Sequence, residues 1–379
     1  MNMRTIKVTG EARGNFEPLA DIVGRLVASQ GMGGGALAIY QHGVKVVDLV
    51  AGDYRPESLQ LIFSITKSVS AIATHMAHAR GEIDIDAPLA SYWPEFDKPS
   101  TKDITLRLVM AHRSGLSALR EPISYEDLLT GRDEAAIGQV EPQWEPGKAH
   151  GYHPITWGTI VGGAFKRVVG RTVSDYARTE IVEPLGLDLW LGTPEEILPR
   201  VEKVLYQEFQ LTPNQEKRIE NGEIIYDGAL EALGSTDAWN DPKFLARGLP
   251  AASGVSNARS LAKMFAATMD SIDGVRLLDV TALDGMVAVQ ARGMDRTLGV
   301  SSTFGSGVQL PFPQLPFTGA ASFGHEAAGG SIAFGDRELG LACAFVTNAF
   351  PPMQGASASA LALLPSIRHC ATADSSPIS

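Results

Sequence analysis

The strand-like runs of this chain lie near its two ends and a long helical stretch lies between them, which limits the available folds more than any other feature. Near the N-terminus, ALAIYQ and VKVVDLVAG are rich in apolar and β-branched residues and are separated by His42-Gly43, a tight connection that reads as a hairpin. Strand-like segments return only late, in TFGSGVQL, SIAFGD and LGLACAFVTN. Between them, ITLRLVMAH, WGTIVGGAFKRVVG and VSDYARTEIVEPLG carry helical spacing punctuated by Pro and Gly. The pattern predicts an α/β (α+β) architecture in which residues 1–85 and 241–379 form one domain with an antiparallel sheet. Residues 86–240 form a mostly helical domain, and the active site lies in the cleft between the two. A length of 379 residues suits this division, because single hydrophobic cores stop growing at roughly 250–300 residues.

Four helices frame the strands. FEPLADIVGRLVASQ, residues 16–30, has helical spacing and is ended by the glycines of GMGGG, Gly31 to Gly35. SITKSVSAIATHMAHAR, Ser64 to Arg80, is alanine-rich and free of Gly and Pro, with Gly81 where a C-terminal cap belongs. ARSLAKMFAATMD follows Asn257, and a last helix runs from Ala356 to His369 before a frayed tail, ATADSSPIS.

Composition excludes several classes of function. The net charge of −11 is spread along the chain, which argues against phosphate backbones and anionic membranes, so neither nucleic acid nor membrane is expected as a partner. Cys343 and Cys370 are the only cysteines, too few for a disulfide framework or a structural zinc site, and they suit a reducing compartment. No stretch reaches the roughly 18 apolar residues of a membrane span and the N-terminus carries no apolar signal core, which predicts a cytoplasmic protein. His75 and His78 form HxxH beside His112, His150 and His153, but no recognised spacing supplies a third ligand, so no metal is expected. Gly31 to Gly35 and Gly329-Gly330 lack the P-loop lysine and the Rossmann spacing. They read as close-packed turns, and no cofactor is expected. No feature specifies an oligomeric state.

A serine hydroxyl is a poor nucleophile at neutral pH; it needs a base within hydrogen-bond reach and donors for the oxyanion. In SITK, Ser64 and Lys67 are three apart, which on a helix sets them on one face about one turn from each other. At a helix start, the dipole and burial both disfavour a charged Lys67, fitting it to accept a proton, while the Ser64 backbone N–H is free to hold an oxyanion. SxxK alone is weak evidence, since SLAK repeats it at Ser260 and Lys263. Ser260 lies inside its helix, beyond a cap at Ser256, where its N–H is spent in the helix ladder.

The ordered series LIFSITKSVSAIATHMAHARGEIDIDAPLASYWPEF, ITLRLVMAHRSGL, QWEPGKAHGYHPITWGTIVGG, VEPLGL, LPAASGVSNARSLAKMFAA and FGHEAAGGSIAF covers nearly the whole chain. It resembles the serine hydrolases of the β-lactamase and penicillin-binding-protein superfamily, and most closely the cytoplasmic family VIII carboxylesterases. The resemblance implies a β-lactamase/DD-peptidase-like fold and the cleavage of small carboxylic esters through a Ser64 acyl-enzyme. It assigns Tyr152 of GYHP as general base, its phenolate stabilised by Lys67; packing on Trp144 and Trp157 is the competing role for this tyrosine. The third motif of the superfamily corresponds to His325-Glu326-Ala327, where His325 replaces the usual basic residue. The backbone of Ala327 or Ala328 is expected to give the second oxyanion donor.

Two departures bear on substrate. Where β-lactamases of this type carry an amide-binding asparagine, this chain has Pro154, which donates nothing. Glu326 brings a negative charge near the position of a β-lactam carboxylate, a penalty that an uncharged ester escapes. A β-lactamase, a D-amino-acid peptidase or an acyltransferase is the alternative within the superfamily, and a non-catalytic binding relative the alternative outside it. The GxSxG signature of α/β-hydrolases is absent: GGSIA around Ser331 lacks the final glycine.

Overall fold

A computed structural model of the protein describes residues 6–119, 121, 123–206, 217, 221, 232–234, 236–350 and 358–373. Its strands include β1 (Val8–Ala12), β2 (Gly34–Gln41), β3 (Val44–Gly52), β4 (Ala291–Met294), β5 (Ser301–Phe304), β6 (Ser322–Glu326), β7 (Ile332–Asp336) and β8 (Leu341–Thr347). Six of them form one sheet in the order β1-β3-β2-β8-β7-β6, every neighbour antiparallel. The late strand β8 pairs with the early β2 from Leu341 opposite Gln41 to Thr347 opposite Gly35, so the two ends of the chain close a single sheet. Strands β4 and β5 pair with each other as a separate hairpin.

The β2–β3 connection shows how local sequence sets the register. His42 (φ 48°) and Gly43 (φ 78°) both adopt left-handed backbone, as a two-residue type I′ hairpin turn demands. Strand β1 has no counterpart in the sequence reading. Its residues VTGEA are largely exposed at the sheet edge, so they carry no apolar alternation to betray them.

Side chains alternate between two cores. Leu37 and Ile39 of β2 and Leu341, Cys343 and Phe345 of β8 face a core that includes Leu19 and Val23 of α1 (Leu19–Ser29) and Leu363 and Ile367 of the C-terminal helix Ala358–Thr372. Burying each such side chain contributes about 1.5–3 kcal/mol. On the opposite face, Ala36, Ala38, Ala342 and Ala344 are small enough to admit the helix Ala258–Met269, whose Leu261 and Phe265 join the second core. With both faces covered, the strands read as continuous apolar runs rather than alternating ones.

Helix α2 (Ile65–Ala79) is buried from Ile65 through Ala77, which accounts for its small-residue composition, and it contacts β6 and α3 (Thr156–Val169). Gly81 (φ 72°) follows its last turn, as expected of a C-terminal cap. Cys343 and Cys370 are both unpaired and buried in the core beneath α1. Among the described residues no helix is long and apolar enough to cross a membrane. Residues 374–379 of the expected tail, Ala356 and Ser357 of the last expected helix, and parts of the helical middle between 207 and 235 lie outside the described residues.

Candidate active site

Ser64 stands at the N-cap of α2 but does not cap it. Its dihedrals are helical (φ −67°, ψ −11°) and its hydroxyl accepts no helix N–H, so the oxygen is left for other partners. The residue before it, Phe63, has left-handed backbone (φ 43°), an uncommon state for a bulky side chain that is held by ring contacts to Trp239 at 5.1 Å and Phe350 at 5.5 Å. Gly329 is part of this support: a Cβ there would stand 2.9 Å from the Phe63 ring.

Lys67, 1% exposed, lies one turn along the same face, and its Nζ donates to Ser64 Oγ at 3.3 Å, to the Pro154 carbonyl at 2.7 Å and to the Ala251 carbonyl at 3.1 Å. Two carbonyl acceptors favour the ammonium form, so this environment suits a fixed cation better than the proton acceptor expected from the helix dipole and burial. Pro154 thus acts through its backbone oxygen, an atom to which its side-chain chemistry gives no clue.

Tyr152 enters from the segment before α3, and its hydroxyl donates to Ser64 Oγ at 2.7 Å, while Lys67 Nζ lies 4.9 Å from the centre of its ring. The ring contacts of Tyr152 among the described residues are with neither Trp144 nor Trp157. The ring stacks on Phe304 at 6.1 Å and tilts against His112 at 4.8 Å and His325 at 5.9 Å. Burial raises the Tyr152 pKa, opposed by the Ser64 hydrogen bond and reinforced by the charges of Glu326 and Asp295. The resting group is therefore a phenol, and a phenolate must be formed for it to act as a base. His112 fixes the segment on both sides of Tyr152, its carbonyl accepting from Gly151 N at 3.1 Å and its Nδ1 from His153 N at 3.0 Å.

The third-motif residues differ from the sequence expectation in their charge. His325 on β6 is buried, and its pKa is lowered to about 3 by burial first and then by the Lys67 charge. It is a neutral imidazole at physiological pH and does not replace a cation. Its Nδ1 pairs with the Glu326 carbonyl, and its Nε2 has no partner among the described residues. Strand β6 ends at Glu326, where Gln309 braces the residue: its Oε1 accepts from Glu326 N at 2.8 Å, and its Nε2 donates to the Glu326 carboxylate at 3.4 Å. The Ala327 N–H is spent on the Ser331 carbonyl at 2.9 Å, whereas Ala328 N–H, like Ser64 N–H, has no hydrogen bond among the described residues.

Residues 19–365 match the Beta-lactamase family. The chain belongs to that family. It is 32% identical to the esterase/beta-lactamase LipL of Mycobacterium tuberculosis, over 90% of this chain and 83% of LipL. Among solved structures it resembles EstA of Arthrobacter nitroguajacolicus Rue61a, with a TM-score of 0.84 and 26% identity over 96% of this chain and 98% of EstA. It also shares its fold with a family VIII carboxylesterase, with a TM-score of 0.86 and 24% identity over 96% of this chain and all of the other.

Within this β-lactamase-family chain the other sequence candidates have structural partners. In the second SxxK, Ser260 Oγ accepts from Asp188 N, and Lys263 Nζ binds the Leu185 carbonyl and Asp273. Its helix is capped by Asn257 rather than Ser256, and the Ser260 N–H is taken by the Asn257 side chain rather than by the helix ladder. Ser331 Oγ accepts from Thr347 N. His75 bonds to the Ser306 carbonyl, while His78 lies beside Asp84 and Asp86, of which Asp86 is paired with Arg107. The sequence reading missed Ala251 and Asp295, which act on the site through a backbone carbonyl and a carboxylate on remote segments, and it weighed His112 only as a metal ligand, whereas its ring nitrogen and carbonyl brace the Tyr152 segment.

Proposed function

We propose that this protein is a serine carboxylesterase that cleaves small carboxylic esters through an acyl-enzyme on Ser64. The observation that carries this reading is the placement of Ser64 Oγ between Tyr152 Oη at 2.7 Å and Lys67 Nζ at 3.3 Å, beside its own N–H, which has no hydrogen bond among the described residues. The Tyr152 phenol first loses its proton to solvent, and the phenolate, held next to the Lys67 cation, takes the Ser64 proton as the oxygen attacks the ester carbonyl. Ser64 N–H and Ala328 N–H hold the oxyanion. Collapse of the tetrahedral adduct breaks the ester C–O bond, and the leaving alkoxide takes the proton from Tyr152. Water then attacks the acyl-enzyme, giving a proton to Tyr152, and Ser64 leaves with that proton as the acid is released.

Three features favour esters over β-lactams. His325 is uncharged, Glu326 adds a negative charge close enough to Tyr152 to raise its pKa, and Pro154 offers no N–H to an amide side chain. The name of LipL, an esterase/beta-lactamase, is in keeping with an esterase. In this reading residues 1–85 with 241–379 and residues 86–240 form the two lobes of the cleft. A cytoplasmic setting is supported by two buried, unpaired cysteines.

The test is to offer purified protein a short-chain aryl ester and a chromogenic cephalosporin side by side, with Ser64→Ala as control. Ester cleavage that vanishes in Ser64→Ala and outruns lactam cleavage is the expected result. Ester turnover that survives in Ser64→Ala, or faster lactam turnover, overturns the proposal.

A further inference from the structure

Behind Tyr152, on the side away from Ser64, lies a carboxylate that the mechanism above does not use. Asp295 follows β4 at the turn into β5 and is fully buried. Its Oδ1 accepts three backbone N–H groups, from Tyr152 at 3.0 Å, Thr297 at 2.9 Å and Leu298 at 2.8 Å. Its Oδ2 accepts the Ser302 hydroxyl at 3.0 Å. Ser302 has one proton and gives it to Asp295, so the contact from Ser302 Oγ to His150 Nε2 at 2.9 Å makes His150 the donor.

Two of the three N–H groups belong to the turn of Asp295 itself, but the third reaches back 143 residues to the base. A second strap lies beside it, from Arg296 N to the His150 carbonyl at 3.0 Å. Gly151 permits the close approach, since a Cβ there would stand 2.7 Å from Thr297 Oγ1. Among the described residues no lysine or arginine pairs with Asp295. An asparagine could close the same turn without the cost of burying a charge. The charge is therefore a separate feature that the turn does not require.

We propose that Asp295 is a positioning residue for the ester cleavage, clamping Tyr152 by its backbone so that the phenol stays on Ser64 and setting a fixed negative charge behind it. This rests on the reading of Tyr152 as the base. The other charged or titratable groups around Tyr152 are Lys67 from α2, His112, His150 and His153 from flanking segments, and His325 and Glu326 from β6. Removing the Asp295 charge makes the phenol easier to ionise, so the rising limb of the pH profile moves to lower pH.

The experiment measures kcat and KM for a short aryl ester from pH 6 up to the alkaline limit of folding in wild type, Asp295→Ala, Asp295→Asn and Tyr152→Phe, with thermal unfolding of each. Asp295→Ala loses the clamp, and kcat falls about 100-fold with KM changed less than about threefold, the scale of a misplaced catalytic group. Asp295→Asn keeps an acceptor for the Tyr152 N–H, recovers at least about tenfold of that loss and shifts the rising limb to lower pH. If Tyr152→Phe is inactive while both Asp295 variants match wild type, the positioning role is overturned and the base assignment stands. If Tyr152→Phe keeps wild-type kcat, the base assignment fails and this proposal with it. An Asp295→Asn variant that loses thermal stability without moving the pH limb makes Asp295 a structural turn residue only.

Discussion

Lys67→Met separates catalysis from stability, because the substitution keeps an unbranched side chain of similar size while removing the charge. Wild-type Lys67 is 1% exposed and donates to the carbonyls of Pro154 and Ala251 and to Ser64 Oγ. Leaving two carbonyls without a donor costs about 1–3 kcal/mol each, or about 2–6 kcal/mol together. Against this, the variant no longer takes an ammonium out of water, a penalty of several kcal/mol. The two effects are similar in size and opposite in sign, so the variant should unfold within about 2 kcal/mol of wild type. Turnover has no such compensation: without the cation the Tyr152 phenolate is not stabilised, and loss of general-base assistance lowers kcat by about 10²–10⁴, or about 3–5 kcal/mol of barrier. Urea unfolding gives the first quantity, and pre-steady-state release of phenol from an aryl ester gives the second. Retention of more than about a tenth of wild-type kcat would refute the argument for the cation. A stability loss above about 4 kcal/mol would show that its main work is to hold the two carbonyl loops together.

Other consequences can be measured directly. Glu326→Gln should raise kcat/KM for an ester carrying a carboxylate by about tenfold relative to an uncharged ester of similar shape, equivalent to about 1.4 kcal/mol of removed repulsion; an unchanged ratio places the Glu326 charge outside the substrate's field. Burial lowers the pKa of His75 to about 4 and of His153 to about 3, and it also holds His112 low. Each titrates at a lower pH in the folded chain than in the unfolded one, so its contribution is complete above about pH 6.5 and is lost as pH falls towards 4, with a slope of about 1.4 kcal/mol per unit per group. Denaturant unfolding from pH 7 to 4.5 should show a multi-proton decline that becomes shallower in His75→Asn; a flat profile contradicts the burial of these rings as neutral groups.

The sequence by itself determined the features that depend on short-range pattern. The two-residue turn at His42-Gly43, the Ala-rich helix from Ser64 to its glycine stop, and the one-turn spacing of Ser64 and Lys67 all follow from local dihedral and periodicity rules. The motif order also pointed to the family and brought Tyr152 into the candidate set. Tertiary structure alone decided what those residues meet. Pro154 and Ala251 serve Lys67 through carbonyl oxygens, which every residue type possesses, so no sequence signal distinguishes them. Asp295 and His112 reach the Tyr152 segment across long sequence separations. The charge of His325 was misread because residue type fixes which atoms can ionise, whereas burial fixes whether they do so at the pH of the cell. Local order is written in neighbouring residues; the protonation and partners of a buried site depend on the solvent that folding removes and on the segments that folding brings in.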